Sequence, residues 1–316
     1  VNELELIERL SRNLPANDSL VVGAGDDCAV LDLGLGDRYI LFKTDAVVEG
    51  IHFTPETPPE KIGHKALARC LSDIAAMAGT PTAALITLAL PPKFNVERVE
   101  AIYKGMSALA QRYSVAIAGG ETTTNPERIL ISVAVIGAVE KARCVRRSGG
   151  KAGDAIFVTG ELGGSLSAKH LDFEPRLVEG QWLADNFAVH AMIDLSDGLA
   201  GDLRHILRSS RVGAELLSQS IPISRAAKLQ ARNESSAKPP LLAALTDGED
   251  FELLFTVASS DAVPLLDAWK KRFPDLKLTC IGKASETPGL TLRDKDGLRE
   301  FGLRGYEHFS APSKSS

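Results

Sequence analysis

Apolar residues along the chain alternate between helical and strand periods. Leu6, Leu10 and Leu14 fall at i, i+4 and i+8, which predicts an amphipathic helix over 3–14. Apolar runs predict strands at 29–33 and 39–43. Thr57-Pro58-Pro59-Glu60 reads as a capping box with proline near the first turn, and the helix it opens stops at Gly79. A strand at 84–90, a helix at 96–113, a short strand at 115–118 and a long strand at 129–139 complete a first half. The basic, glycine-rich stretch 141–153 reads as a junction. Beyond it the pattern predicts strand 155–159, a glycine turn at 160–164, helix 175–189, strand 191–193, helix 198–208, strand 251–257, helix 262–273 and strand 277–281, with a polar surface loop over 233–240. Alternating elements of this kind build α/β or α+β layers, here divided into domains 1–140 and 141–316.

Acidic residues recur where an apolar run stops. Asp26-Asp27 follow Gly23-Ala24-Gly25, Asp45 follows the 39–43 run, and Glu121 follows Gly119-Gly120. Asp194 and Asp197 follow Ala191-Met192-Ile193, and Glu249-Asp250 precede Phe251. An unpaired buried carboxylate is expensive. Several together call for cations, and hard cations such as Mg2+ take oxygen ligands and commonly arrive with phosphates. Two unit charges about 4 Å apart repel by roughly 4 kcal/mol at an effective dielectric near 20, so convergence without cations would rival a domain's whole stability. The pattern points to a phosphate-handling enzyme.

Bulk properties narrow the partners. A chain of 316 residues suits two cores, and a formal charge of −5 provides no global field for nucleic acid or anionic membrane. A polyanionic substrate would need metal ions or local cations such as Lys141, Arg143, Arg146 and Arg147. The four cysteines, Cys28, Cys70, Cys144 and Cys280, lack metal-ligand spacing and suit reduced thiols in a cytoplasmic protein. The longest apolar run, 83–90, is too short to cross a bilayer.

Single positions leave alternatives open. Asp73 shares a helical face with Ala66, Cys70 and Met77, so it is either ion-paired or a metal ligand. Gly23-Ala24-Gly25-Asp26-Asp27 lacks the lysine of a Walker A loop and is either an ordinary turn or a loop whose aspartates hold metal. Thr44-Asp45 and Gly119-Gly120-Glu121-Thr122-Thr123 allow the same two readings. Asp194 and Ser196 are ligands or the N-cap of the next helix. His52 is a solvated loop residue or a ligand contact, and Arg146-Arg147 is a solvated pair or a phosphate clamp.

Taken in order, GAGDDCAV (23–30), KTDAVVEGIHF (43–53), KALARCLSDIAAMAG (65–79), AGGETT (118–123), RRSGGKAGD (146–154), IDLSDGL (193–199), DGEDFEL (247–253) and GYEHF (305–309) resemble thiamine-monophosphate kinases. That family sits in an ATP-binding superfamily with aminoimidazole ribonucleotide synthetase. The resemblance implies a two-domain α/β (α+β) fold, in which an N-terminal mixed sheet flanked by helices dimerises through its sheet and is followed by a C-terminal α/β sandwich. It implies a phosphotransferase that moves the γ-phosphoryl group of ATP to thiamine monophosphate, with several Mg2+ ions. By the same resemblance Asp27, Thr44, Asp45, Asp73, Glu121, Asp194 and Asp197 are metal ligands, and Gly120, Glu121, Arg147 and Ser196 contact ATP. His52, Glu249 and Tyr306 contact thiamine monophosphate, while Asp45, Asp73 and Arg147 carry catalysis. The implied assembly is a cytoplasmic homodimer, with no nucleic acid or membrane partner. Lys43 stands where many members carry a small hydroxyl residue, Glu121 where aspartate is usual, and Asp247-Gly248 where a Gly-Gly pair is usual. Another ATP-dependent synthetase of the superfamily, or a non-catalytic nucleotide-binding homologue, are the competing readings.

Overall fold

The computed structural model describes residues 3–167 and 169–302. Its first half runs α1 (Glu3–Ser11), β1 (Leu20–Val22), β2 (Ala29–Leu31), β3 (Arg38–Val48), α2 (Pro59–Ala76), β4 (Thr80–Leu90), α3 (Val96–Arg112), β5 (Ala116–Thr124) and β6 (Leu130–Glu140). The second half begins β7 (Ala155–Thr159), α4 (Leu177–Asn186), β8 (Val189–Asp194), α5 (Leu199–Ser210), β9 (Gly213–Leu217), α6 (Arg225–Asn233) and α7 (Pro240–Thr246). It ends β10 (Leu253–Val257), α8 (Ala262–Arg272), β11 (Leu278–Ser285), β12 (Gly289–Asp294) and β13 (Gly297–Glu300). Among the described residues these strands form a six-stranded sheet, β1-β2-β3-β6-β4-β5, and a seven-stranded sheet, β13-β12-β9-β11-β7-β10-β8. Both are mixed: β4 with β5 and β9 with β12 are parallel, and the other neighbours are antiparallel.

Several strands are longer than their apolar runs, and β3 and β5 take in acids mid-strand. β3 pairs with β6 without interruption from Arg38↔Glu140 to Val48↔Leu130, so Asp45 lies inside a strand rather than closing one. β5 continues through Gly119 to Thr124, which places Glu121 inside a strand as well. The apolar runs ended early because the inward face of β3 becomes polar and β5 becomes an exposed glycine and polar stretch, while both backbone ladders continue. Alternation turns Leu41, Lys43, Asp45 and Val47 toward the helices and leaves Phe42 and Thr44 on the exposed face.

The capping box expected at 57–60 is absent. Pro58 is the N-cap of α2, and Thr57 Oγ1 instead accepts the Thr54 N–H at 3.0 Å. Neither Asp194 nor Ser196 caps α5, because Gly198 takes that position with φ of 100°. The pattern also missed β9, β12, β13 and both α6 and α7, which are short or weakly apolar.

The first core lies between the six-stranded sheet and α2 with α3, centred on Ile62, Leu67, Leu71, Ile74, Ile102 and Met106. It is shared across the molecule: Phe173 and Phe251, from the second half, stack at 3.9 Å between centroids and join it. The second half packs α5, α7 and its own sheet around Ile193, Leu203, Ile206 and Leu254. No helix among the described residues is long and apolar enough to cross a membrane.

Helices α2 and α3 approach to backbone contact. A Cβ at Gly63 would stand 1.8 Å from the Ile102 carbonyl oxygen, and one at Gly105 would stand 1.9 Å from that of Glu60. Gly105→Ala must push the helices apart, and overpacking of this kind typically costs about 1–3 kcal/mol. A urea unfolding series should show that loss, and an unchanged midpoint would contradict the crossing geometry.

Candidate active site

The buried face of α2 supplies most of the site. Lys65, Arg69 and Asp73 recur every four residues and Ser72 lies beside them, so one stripe of an otherwise apolar helix carries a cation, a second cation and an acid. β3 faces this stripe with Lys43 and Asp45. The β1–β2 loop brings Asp26 and Asp27, the junction brings Arg147, and the end of β8 brings Asp194.

Ligand oxygens of Asp27, Asp73 and Asp194 converge, all within 4.8 Å of one another and all buried. Each carboxylate has one oxygen held by the protein. Arg147 Nη2 donates to Asp27 Oδ1 at 2.6 Å, Lys43 Nζ to Asp73 Oδ1 at 2.7 Å, and Ser72 Oγ to Asp194 Oδ2 at 2.6 Å. Asp27 Oδ2 is buried with no hydrogen-bond partner among the described residues. An orphaned anionic oxygen in a three-carboxylate pocket fits a hard divalent ion, which would be held by Asp27, Asp73 and Asp194.

The electrostatics express the same crowding. Burial, with the field of Asp27, lifts Asp194 to about 7. Burial, with Asp194, Asp45 and Asp27 outweighing Lys43, lifts Asp73 well above the carboxylate range. Burial also lifts Asp26 to about 6, although its carboxylate accepts the Arg147 N–H at 3.2 Å. Burial opposes the Lys43 and Arg147 charges, yet their carboxylate neighbours hold both above their ordinary values.

Next to this cluster lies an open cleft lined by Ile51, His52, Arg69, Ser196, Asp197, Glu249 and Phe251. Glu249 is held by the wholly buried Lys65 at 2.6 Å, by His170 Nδ1 at 3.0 Å and by Arg69 at 3.4 Å. Burial works against its charge, but His170 and Lys65 draw it down to about 2, so it is anionic. Lys65 itself is pushed by burial down to about 8. Lys65 also donates to the His52 carbonyl at 2.8 Å, and His52 Nδ1 accepts the Val48 N–H at 3.1 Å, which puts the proton of the neutral ring on Nε2. Arg69 reaches Asp45 at 3.5 Å and so links the cleft to the acidic cluster.

The loop carrying Glu249 is strained and tied down. Glu249 and Phe251 have φ of 64° and 49°, in the left-handed region that few side chains adopt. Glu249 N–H donates to the Ser196 carbonyl at 2.7 Å and Phe251 N–H to that of Leu195 at 2.8 Å, which zips the loop to the β8–α5 turn. Asp250 accepts the Gly163 N–H and Asp247 that of Gly164, giving Asp247-Gly248 a clear local role. Glu252, 1% exposed, is gripped by Arg176 and Lys169 at 2.8 and 2.7 Å. Only Glu249 of the four acids faces the cleft.

Several expected site residues lie apart from the triad. Thr44 is on the opposite face of the sheet, its Oγ1 3.4 Å from Ser132 Oγ. Gly120 and Glu121 are exposed on β5, at the edge of the sheet. Asp197 and Ser196 line the cleft, and Asp197 N–H donates to the buried Asp202. Tyr306 lies outside the described residues. Sequence reasoning passed over Lys65, Arg69, Ser72, Asp202 and His170. The four-residue spacing on α2 could have found the first two, whereas nothing local marks His170.

Residues 25–139 match the family described as AIR synthase related protein, N-terminal domain. The chain is 42% identical over 290 residues to a thiamine-monophosphate kinase of Rhodopirellula baltica, covering 90% of this chain and 88% of that one. It is 32% identical over 334 residues to the Bacillus subtilis thiamine-monophosphate kinase, covering 98% and 100%. A solved structure described as "AaThiL complexed with AMPPCP and TMP" superposes with a TM-score of 0.82 at 32% identity, over 98% of this chain and 97% of that one. Escherichia coli HypE, a hydrogenase maturation protein, shares the fold at 22% identity and a TM-score of 0.72, over 96% of this chain and 98% of that one.

The Glu252 anchor can be tested by pH. Burial opposes its charge, but Lys169 and Arg176 lower it from 4.5 to about 2. Its stabilisation is therefore complete above 4.5 and disappears as pH falls toward 2, because the unfolded chain takes up the proton first. Glu252→Gln should cost about 3–5 kcal/mol at neutral pH, as expected when a buried pair is broken. The urea midpoint of wild type should fall more than that of the variant on going from neutral pH to about pH 3, and parallel losses would contradict the assignment.

Proposed function

Because the chain belongs to the thiamine-monophosphate kinase family, we propose that the acidic cluster and the adjoining cleft hold ATP and thiamine monophosphate end to end. The chain is a kinase that transfers the γ-phosphoryl group of ATP to thiamine monophosphate, giving thiamine diphosphate and ADP. The observation that carries the site assignment is the convergence of Asp27, Asp73 and Asp194 around an orphaned carboxylate oxygen, beside a cleft whose Glu249 is tied through Arg69 to Asp45.

The acceptor is an ionised phosphate, so its attacking oxygen has no proton to remove and a general base is not required. Catalysis then consists of positioning and of neutralising charge as the phosphoryl group passes. Asp27, Asp73 and Asp194, with Asp45 beside them, would hold Mg2+, which would supply the positive charge that two polyanions need to approach. Arg147 is within reach of the same region and can exchange its Asp27 contact for a phosphate oxygen. Anionic Glu249 in a partly apolar cleft with Phe251 suits a cationic thiazolium, while Arg69 and His52 Nε2–H suit its phosphate. Ser196 and Asp197, at the lip of the cleft, lie where the two substrates would meet.

A homodimer would complete this site. Phe42, Leu85 and Ile136, each 42–53% exposed, form an apolar patch on the sheet face opposite α2 and α3. The edge strand with Gly120 and Glu121 borders it. We infer that a second copy covers this face, so that Thr44, Gly120 and Glu121 meet ligands at the join. The two sheets, separated by the 141–154 junction, are proposed as domains 1–140 and 141–316 of a cytoplasmic enzyme.

With ATP and Mg2+, purified protein should release ADP in the presence of thiamine monophosphate and not with free thiamine. Chelation should stop it, and turnover of thiamine alone would refute the acceptor assignment. Asp45→Asn should lower turnover by roughly a hundredfold or more, equivalent to a few kcal/mol of transition-state stabilisation. Its urea midpoint should stay near that of wild type, since the Arg69 contact it loses is long. Ile136→Glu should convert a species of twice the chain mass to one of single mass in light scattering. A wild-type protein of single mass would refute the dimer.

A further inference from the structure

Lys43 stands in an unusual place for a lysine, and it bears on how many ions the acidic cluster takes. It is mid-strand in β3, with Cα paired to Val135 in an unbroken ladder to β6 that runs from Arg38 to Val48. The side chain points toward α2 and its ammonium lies 2.7 Å from Asp73 Oδ1, in a pair only 22% and 7% exposed. The other two carboxylates of the cluster are held differently. Ser72 is a neutral hydroxyl that can rotate away from Asp194, and Arg147, on the 141–154 junction, can follow a phosphate. Lys43 projects from an unbroken strand ladder instead, and Asp45 and Asp194 add to the attraction of Asp73.

We propose that the Lys43 ammonium is a built-in cation of this cluster, occupying the side of Asp73 that a divalent ion would otherwise take. The charge count supports this. With all three carboxylates ionised, as a bound ion would hold them, Lys43 and Arg147 leave a single net negative charge, which one divalent ion more than neutralises. Without Lys43 the same oxygens carry two, and Asp73 presents both of its oxygens to a second ion. A protonated amine is a donor only and cannot ligate a metal, so the ammonium competes with a second ion for Asp73 Oδ1 by charge and by position. Lys43 therefore sets the number of divalent ions bound per chain. This inference rests on the reading of the cluster as a divalent-ion site.

The test is titration of the full chain with Mn2+ alone, following free Mn2+ by its electron paramagnetic resonance signal. Lys43→Gln should bind one more Mn2+ per chain than wild type, or bind its first about tenfold more tightly, as expected for removal of a cation at contact distance. Lys43→Arg, which keeps the charge, should titrate like wild type. Should Lys43→Gln unfold without metal, Mn2+ should restore it and raise its melting temperature more than that of wild type. A Lys43→Gln protein that Mn2+ does not restore, or one that matches wild type in number and affinity, overturns the proposal alone. No Mn2+ binding by wild type or variant overturns the divalent-ion reading along with it.

Discussion

Three carboxylates brought within 4.8 Å of one another in a buried place are the constraint around which this protein is organised. Each pair repels by an amount on the order of several kcal/mol at the effective dielectric of a protein interior, so the fold must supply counter-charge before any ligand arrives. It supplies two cations, Lys43 on Asp73 and Arg147 on Asp27, and a neutral donor, the Ser72 hydroxyl, on Asp194. The donors come from different segments, and two of the three contacts join the first half of the chain to the second. Arg147 reaches back to Asp27, and Ser72 reaches forward to Asp194. Charge balance and the packing of the two halves are therefore one problem with one solution.

The same seam continues into the cleft. Lys65 and Arg69 on α2 bind Glu249 from the loop before β10, and Phe251 from that loop is built into the first core by stacking on Phe173. The positive φ values at Glu249 and Phe251 show a backbone held against its preference by these contacts and by the Glu252 anchor. On the proposed assignment of the cleft, this rigidity would serve phosphoryl transfer, where a protein has little covalent chemistry to perform and much of the acceleration comes from holding two polyanions in line.

The order of elements, the helical character of 59–76 and the alternation of apolar and polar residues were legible in the sequence because each depends on neighbours a few residues apart. Asp73 was legible as an anomaly for the same reason, an acid in an apolar helical stripe. The extent of β3 and β5 was not: Lys43 and Asp45 of β3 are tolerated on the inward face only where tertiary contacts provide partners, and β5 beyond Ile117 is an exposed glycine and polar run made a strand by pairing with β4. The short elements β9, β12 and β13 gave little signal because pairing, rather than propensity, makes them strands.

Sequence alone determined which residues could carry the chemistry, since ordered motifs such as GAGDDCAV, IDLSDGL and DGEDFEL mark their acids independently of how the chain folds. It could not decide which acids meet. Asp27, Asp73 and Asp194 are separated by long stretches of chain and converge only through the packing of α2 against β3 and β8, whereas Thr44, adjacent to Asp45, is turned to the opposite face by strand alternation. Nor could the sequence reveal that Lys43 pairs with Asp73 or that His170 completes the Glu249 pocket, because a salt bridge depends on distance in space and the primary structure records only distance along the chain.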